Sequence, residues 1–157
     1  MNQRFSKPLV IRSLMLLLLS VVLFSFTHPL GMDNYKVYLN DNLLFHQYVG
    51  KDSPTQTISF DKAADNDQLV IYYDHCGQIG TQRVLKLTDG SGVLKEWSFP
   101  NAQTVASSGM SCSVKEIKAI QKQGRTMNLV YTSSELKDGI VLATIPSNGV
   151  SAKASRK

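Results

Sequence analysis

Cysteine is scarce in this 157-residue chain: Cys76 and Cys112 are the whole complement. Neither directly follows the apolar block near the N-terminus, so the residue that a lipoprotein anchor acylates is missing. No Gly-x-Ser-x-Gly elbow occurs, which removes the common signature of a serine hydrolase. Gly77 and Gly80 are completed by neither a lysine nor a helical pattern, so they do not make a phosphate loop. Apolar runs are short as well. The longest covers residues 14–26, below the ~20 that span hydrocarbon. Paired carboxylates are few, and Asp65 and Asp67 lie in a polar stretch where solvation is their default.

What is present begins with an address. Arg4, Lys7 and Arg12 lead into the apolar segment 14–26, interrupted by Ser20 and Ser25. A basic lead followed by a short apolar block is the pattern of a Sec-type export signal. Residues 1–27 are therefore expected to be a signal peptide, with Ser25 and Thr27 at the processing positions and His28 beside them. Retention as a signal anchor is the other outcome, because Leu9, Val10 and Ile11 lengthen the segment across Arg12. Either way the rest of the chain is expected in a periplasmic or extracellular, oxidising setting.

Charge agrees with a division into body and ends. The chain carries 17 basic and 12 acidic residues, a net of +5. Arg4, Lys7 and Arg12 lie in the signal, and Lys153, Arg156 and Lys157 in the last five positions. Setting those six aside leaves 11 basic against 12 acidic residues, a net of −1. Nucleic acid is not an expected partner, since the body has no basic run to displace counterions from phosphates. Residues 33–146 read as one domain and 147–157 as a disordered basic tail.

The body alternates short apolar runs with turn residues, the mark of an antiparallel β-protein. Strands are expected at 35–39, 43–49, 57–60, 69–73, 83–87, 93–99, 128–132 and 140–145. Asn40-Asp41-Asn42 and Asp89-Gly90-Ser91-Gly92 are read as hairpin turns, with glycine supplying positive φ in the second. That second turn lacks the spaced carboxylates of a calcium loop. The run 69–73 is apolar on both faces, as in a central strand. Trp97 is placed in the core near a sheet end. Ser113 and Glu116 fit a capping box, and Val114, Ile117 and Ile120 share a helical face, so a helix is expected near 114–122, ended by Gly124. A competing pattern runs a strand through Met110, Cys112 and Val114. The fold class is mainly β: an antiparallel β-sandwich or flattened barrel of about eight strands with one short helix.

The cysteines carry the distinctive chemistry. In an exported chain Cys76 and Cys112 are expected to form a disulfide, contributing at most about 3–4 kcal/mol. The alternative is a soft-metal site, His75, Cys76, Met110 and Cys112 together suiting Cu(I). That requires the strand to break after His75, which Gly77 permits. A thiol enzyme needs a base near the sulfur; His75 is adjacent in sequence and so on the opposite face, while His46 is expected on the surface of an edge strand. No cofactor is otherwise implied. Tyr72 and Tyr73 point to opposite faces of one strand, leaving a tyrosine available for a sugar or peptide surface. The function expected is a non-catalytic binding or structural module of the cell envelope or extracellular space, with a protein, peptide or glycan ligand. A periplasmic copper carrier or thiol enzyme using Cys76 and Cys112 is the alternative. Membrane contact is expected through the N-terminal segment if that segment is uncleaved.

Overall fold

A computed structural model describes residues 31–121 and 124–147. The expected export segment and residues 148–157 of the expected tail lie outside them. Among the described residues nine strands and one α-helix follow in order: β1 (Asn34–Leu39), β2 (Asn42–Tyr48), β3 (Gln56–Thr57), β4 (Gln68–Asp74), β5 (Arg83–Asp89), β6 (Gly92–Phe99), β7 (Met110–Ser113), α1 (Val114–Gln121), β8 (Met127–Thr132) and β9 (Ile140–Ile145). Two sheets form, ordered β2-β1-β4-β7 and β3-β9-β8-β5-β6. All pairings are antiparallel except β3 with β9. The mainly β, sandwich-like class read from the alternation is the class observed.

Both hairpins form where the turn residues place them. Asn40 takes φ 53° between β1 and β2, the left-handed region that asparagine tolerates. In the β5–β6 turn the positive φ falls on Gly92 (134°) and not on Gly90. Asp89 instead shapes that turn with its carboxylate, which accepts from the backbone N–H and the hydroxyl of Ser91 (2.8 and 2.5 Å). The other Asp89 oxygen accepts from Arg125 (2.9 Å), so a local partner rather than an ion accounts for the carboxylate.

The two competing patterns around residue 113 are both right, in series. β7 is the strand added to the eight expected, and it runs directly into α1. Val114 and Ile117 are fully buried on one helical face and Ile120 is half-buried. Gly124, at φ 73°, donates its N–H to Gln121 O at the helix end. The capping box does not account for Glu116. Its Oε2 accepts from Trp97 Nε1 at 2.8 Å, which pins the helix to β6. Trp97 is accordingly half-buried on an edge strand and packs at the margin of the core, not in it.

The core lies between the sheets and follows period two. Tyr35, Val37, Leu69, Ile71 and Tyr73 face Leu85, Leu87, Leu129 and Tyr131, all nearly or fully buried. Full burial of each aliphatic chain contributes roughly 1.5–3 kcal/mol. An aromatic ladder bridges the layers: Tyr35 stacks on Tyr73 (6.1 Å) and Tyr73 on Tyr131 (4.3 Å). Tyr35 hydroxyl donates to Leu142 O across the core (2.8 Å), so its burial leaves no orphan. The strand β4 is central in its sheet, as its composition suggests, yet its second face is less covered. Val70 and Tyr72 on that face are half-buried. Helix α1 closes the end of the sandwich where β4 begins, Val114 N–H donating to Asp67 O. The opposite end, where β4 finishes, carries the polar chemistry.

Candidate functional site

The structure separates the residues that the sequence groups. Cys112 stands opposite Leu69 in the β4–β7 register, and Met110 opposite Ile71. His75 and Cys76 lie beyond Asp74, at the other end of β4. The five steps of strand from Leu69 to Asp74 cover about 17 Å. A disulfide needs Cα atoms within about 7 Å. Cys76 and Cys112 are therefore not joined, which corrects the expected pairing; Cys76 is exposed and Cys112 buried. The same separation dissolves the His75, Cys76, Met110, Cys112 copper set. Among the described residues no group of three His, Cys, Asp or Glu side chains is placed to hold a metal ion. Both thiols also hold their protons. Cys76 donates to Asp33 Oδ1 (3.1 Å), and that hydrogen bond with burial raises its pKa. Burial, with Glu116 nearby, pushes Cys112 up to about 12. A nucleophilic or ligating sulfur needs the opposite environment.

His75 is in the place where chemistry gathers, with different partners. The chain turns at Cys76 (φ 53°) and Gly77 (φ 88°), and His75 and Gln78 exchange backbone hydrogen bonds across the turn. This break frees the imidazole to swing inward, its side chain 10 % exposed. Nδ1 lies 3.2 Å from Asp33 Oδ2, and Nε2 lies 3.1 Å from the Tyr131 hydroxyl and 3.2 Å from Ser133 Oγ. Tyr73 hydroxyl donates to the same Asp33 oxygen (3.1 Å), and its ring packs on His75 at 4.6 Å. Burial and the Asp33 charge hold the Tyr73 phenol protonated far above its ordinary range. Tyr73 comes from β4 of the four-stranded sheet, with Asp33 just before β1 and His75 just after β4; Tyr131 and Ser133 come from β8 and the residue just past it. The cluster is a polar clasp between the two layers. Asp33 and Ser133 were not singled out by sequence reading, because 42 and 58 residues separate them from His75 and neither sits in a motif.

Asp33, His75 and Ser133 stand in the order of an acid, base and nucleophile. The surroundings do not suit acyl transfer. Ser133 is 6 % exposed. Gly80 is the roof: a Cβ there would stand 2.5 Å from Tyr131 hydroxyl and 2.7 Å from His75 Nε2. Backbone thus occupies the space where a scissile carbonyl would approach.

That roof is held by Glu135. Its two carboxylate oxygens accept from the N–H and hydroxyl of Thr81 (both 2.9 Å), and Ser134 N–H donates to Thr81 O. Burial pushes the Glu135 pKa up, but the two Thr81 hydrogen bonds lead the opposing contributions and bring it down to about 2. The folded value lies below the unfolded ~4.3, so this carboxylate stabilises fully above pH ~4.3 and loses its contribution as pH falls toward 2. Solvent exposure keeps the magnitude small. Thermal melts from pH 6 to pH 2 are expected to show Glu135→Gln falling less steeply than the parent chain. Parallel curves would remove Glu135 from the acid response.

The outer face of the four-stranded sheet is the second concentration of functional groups. Two clefts open on it and share Tyr72 as a wall. One, of about 130 Å³, is lined by Asn34, Lys36, Asp74, Gln78, Val105 and Ser108 among others. The other, of about 310 Å³, is lined by Tyr38, Asn40, Asp41 and Val70 with Tyr72. Tyr72 is on the exposed side of β4 and Tyr73 on the buried side, the alternation that the sequence implies. His46 is exposed on the edge strand β2, its Nε2 2.9 Å from Asn34 Oδ1. The segment 100–109, carrying Val105 and Ser108, is anchored from beneath by Arg83, which donates to Ser108 O and to Pro100 O (2.6 Å). Comparison with protein-family models, with curated proteins and with solved structures yields no match to this chain.

Proposed function

We propose that this chain is an exported, non-catalytic binding module of the cell envelope or extracellular space. The basic and apolar lead of the sequence supports export. The observation that carries the binding reading is the outer face of the four-stranded sheet, where Tyr72 divides two open clefts lined by amide, carboxylate, ammonium and hydroxyl groups. Binding sites combine an apolar surface with a few convergent polar groups, and this face has both. The His75 clasp reads as support for the scaffold, since Gly80 and the burial of Ser133 leave its serine no open side.

A hydrolase reading has one observation in its favour, the Asp33–His75–Ser133 sequence of contacts. A single experiment separates it from the binding reading. The full chain, expressed in its own cell type, is recovered by fractionation and exposed to a fluorophosphonate probe. Recovery outside the cytosol with Ser133 unlabelled is expected. A cytosolic product would overturn export, and covalent labelling of Ser133 would overturn the non-catalytic reading.

A further inference from the structure

Resting on the binding-module reading, we propose that the outer face of the four-stranded sheet binds a neutral, linear oligosaccharide lying across Tyr72.

The platform is set before a ligand arrives. The Tyr72 and Tyr38 rings stand nearly perpendicular, with centroids 5.7 Å apart and an interplanar angle of 81°. On another side it rests on Gly109: a Cβ there would stand 3.0 Å from the ring Cζ and from the hydroxyl. A ring held by a perpendicular neighbour and by backbone loses little freedom on binding. The aromatic side chain offers an apolar body for the C–H face of a sugar and a polar tip for its hydroxyls.

The polar groups around the ring suit hydroxyls. The Lys36 ammonium and the Gln78 side-chain amide line the first cleft without hydrogen-bond or ion-pair partners among the described residues. Asn34 and Asp74 are oriented there by each other (3.3 Å), and Gly77 N–H holds the second Asp74 oxygen (2.6 Å). Asn40 and Asp41 line the second cleft. One ammonium, two carboxylates and several amides supply both donors and acceptors without a block of one sign, which fits a neutral polyhydroxyl chain better than a phosphate polymer.

The shape argues for a chain rather than a compact molecule. Both clefts are open; the first is well below the ~300–1,000 Å³ of pockets that enclose small ligands and the second, at about 310 Å³, only reaches its lower limit. Together they flank Tyr72 along β4, where Val70 to Asp74 covers about 13 Å. Sheet topology argues against a peptide. Peptides dock on sheets by adding to an edge and using backbone hydrogen bonds. The β4 backbone pairs with β1 from Leu69 to Asp74 and with β7 from Gln68 to Ile71, and the platform is the side-chain face of Tyr72 and not a sheet edge. A sugar chain needs no backbone partner.

The test is affinity electrophoresis and calorimetry of the full chain with hexamers of β-1,4-linked glucose, N-acetylglucosamine and xylose, beside a random displayed peptide pool. At least one glycan is expected to bind. Tyr72→Ala should weaken it tenfold or more in protein that still melts cooperatively above the assay temperature, and Lys36→Ala or Gln78→Ala a few-fold. Gly109→Ala should weaken it by displacing the ring, while Val93→Ala, on the other sheet, should leave it unchanged. No glycan bound, or binding indifferent to Tyr72, would overturn the proposal. If peptides bind through Tyr72 while glycans do not, the ligand class falls and the binding module stands; if neither binds, both fall.

Discussion

Replacing His75 with alanine is expected to lower the unfolding free energy by about 3 kcal/mol. The imidazole is the shared partner of Asp33, Tyr131 and Ser133, at 3.2, 3.1 and 3.2 Å. Its removal leaves two nearly buried hydroxyls and a partly covered carboxylate to find other partners, each at about 1–3 kcal/mol if none is found. It also removes a ring packed 4.6 Å from Tyr73. Relaxation and entry of water bring the sum down, which is why about 3 kcal/mol is expected and not the arithmetic maximum. Urea unfolding of His75→Ala measures it. The double-mutant cycle with Asp33→Ala should show coupling of at least ~0.5 kcal/mol, since the two groups share one hydrogen bond. A loss below ~1 kcal/mol with no coupling would show that the clasp does not hold the sheets together. This is the brace that a disulfide was expected to supply, made instead from hydrogen bonds at one end of the sandwich.

Arg83→Ala is the second large effect, also about 3 kcal/mol. Arg83 is 3 % exposed, at the start of β5. Burial lowers its pKa from the ordinary guanidinium value, partly countered by Tyr131. Its terminal nitrogens donate to the carbonyls of Ser108 and Pro100, while Nε is buried without a partner among the described residues. A guanidinium buried at such cost is kept where its fork does a task that no apolar chain can. Here the fork ties the segment 100–109 to the core. Lysine keeps the charge but has a single head, so Arg83→Lys should still lose about 1–2 kcal/mol and expose that segment to protease. Because Gly109 supports Tyr72 and Ser108 lines the first cleft, ligand affinity should fall along with stability. Parent-like unfolding and protease resistance in Arg83→Lys would show that the fork geometry is not needed.

Much of the strand plan was legible from period alone. The run 69–73 reads as apolar on both faces, but only the side of Leu69, Ile71 and Tyr73 is buried while Val70 and Tyr72 are half-buried, because composition does not say how many layers cover a strand. The Asp-Gly turn located the β5–β6 hairpin, although its strained φ belongs to Gly92, because a bulge beside Leu87 pairs Thr88 with Val93 and shifts the register. Ile58 and Phe60 are buried on a common face as their spacing implies, even though regular pairing ends at Thr57. Trp97 was misplaced because parity along a strand does not say whether that strand lies at a sheet edge. The cysteines were misjudged for a related reason. Their separation of 36 residues in sequence carries no distance in space, and the β4–β7 register sets Cys112 beside the start of β4 while Cys76 lies past its end.

Local pattern by itself determined which segments extend, where the two hairpins turn, and which alternate side chains enter the core, since these depend on neighbours one to four residues away. The meeting of Asp33, His75, Tyr131 and Ser133, and the fixing of Tyr72 against Tyr38 and Gly109, were decided by the pairing order of the strands. Such contacts join positions tens of residues apart. They exist only after long loops have closed and two sheets have packed, an outcome set by the summed burial of the whole core.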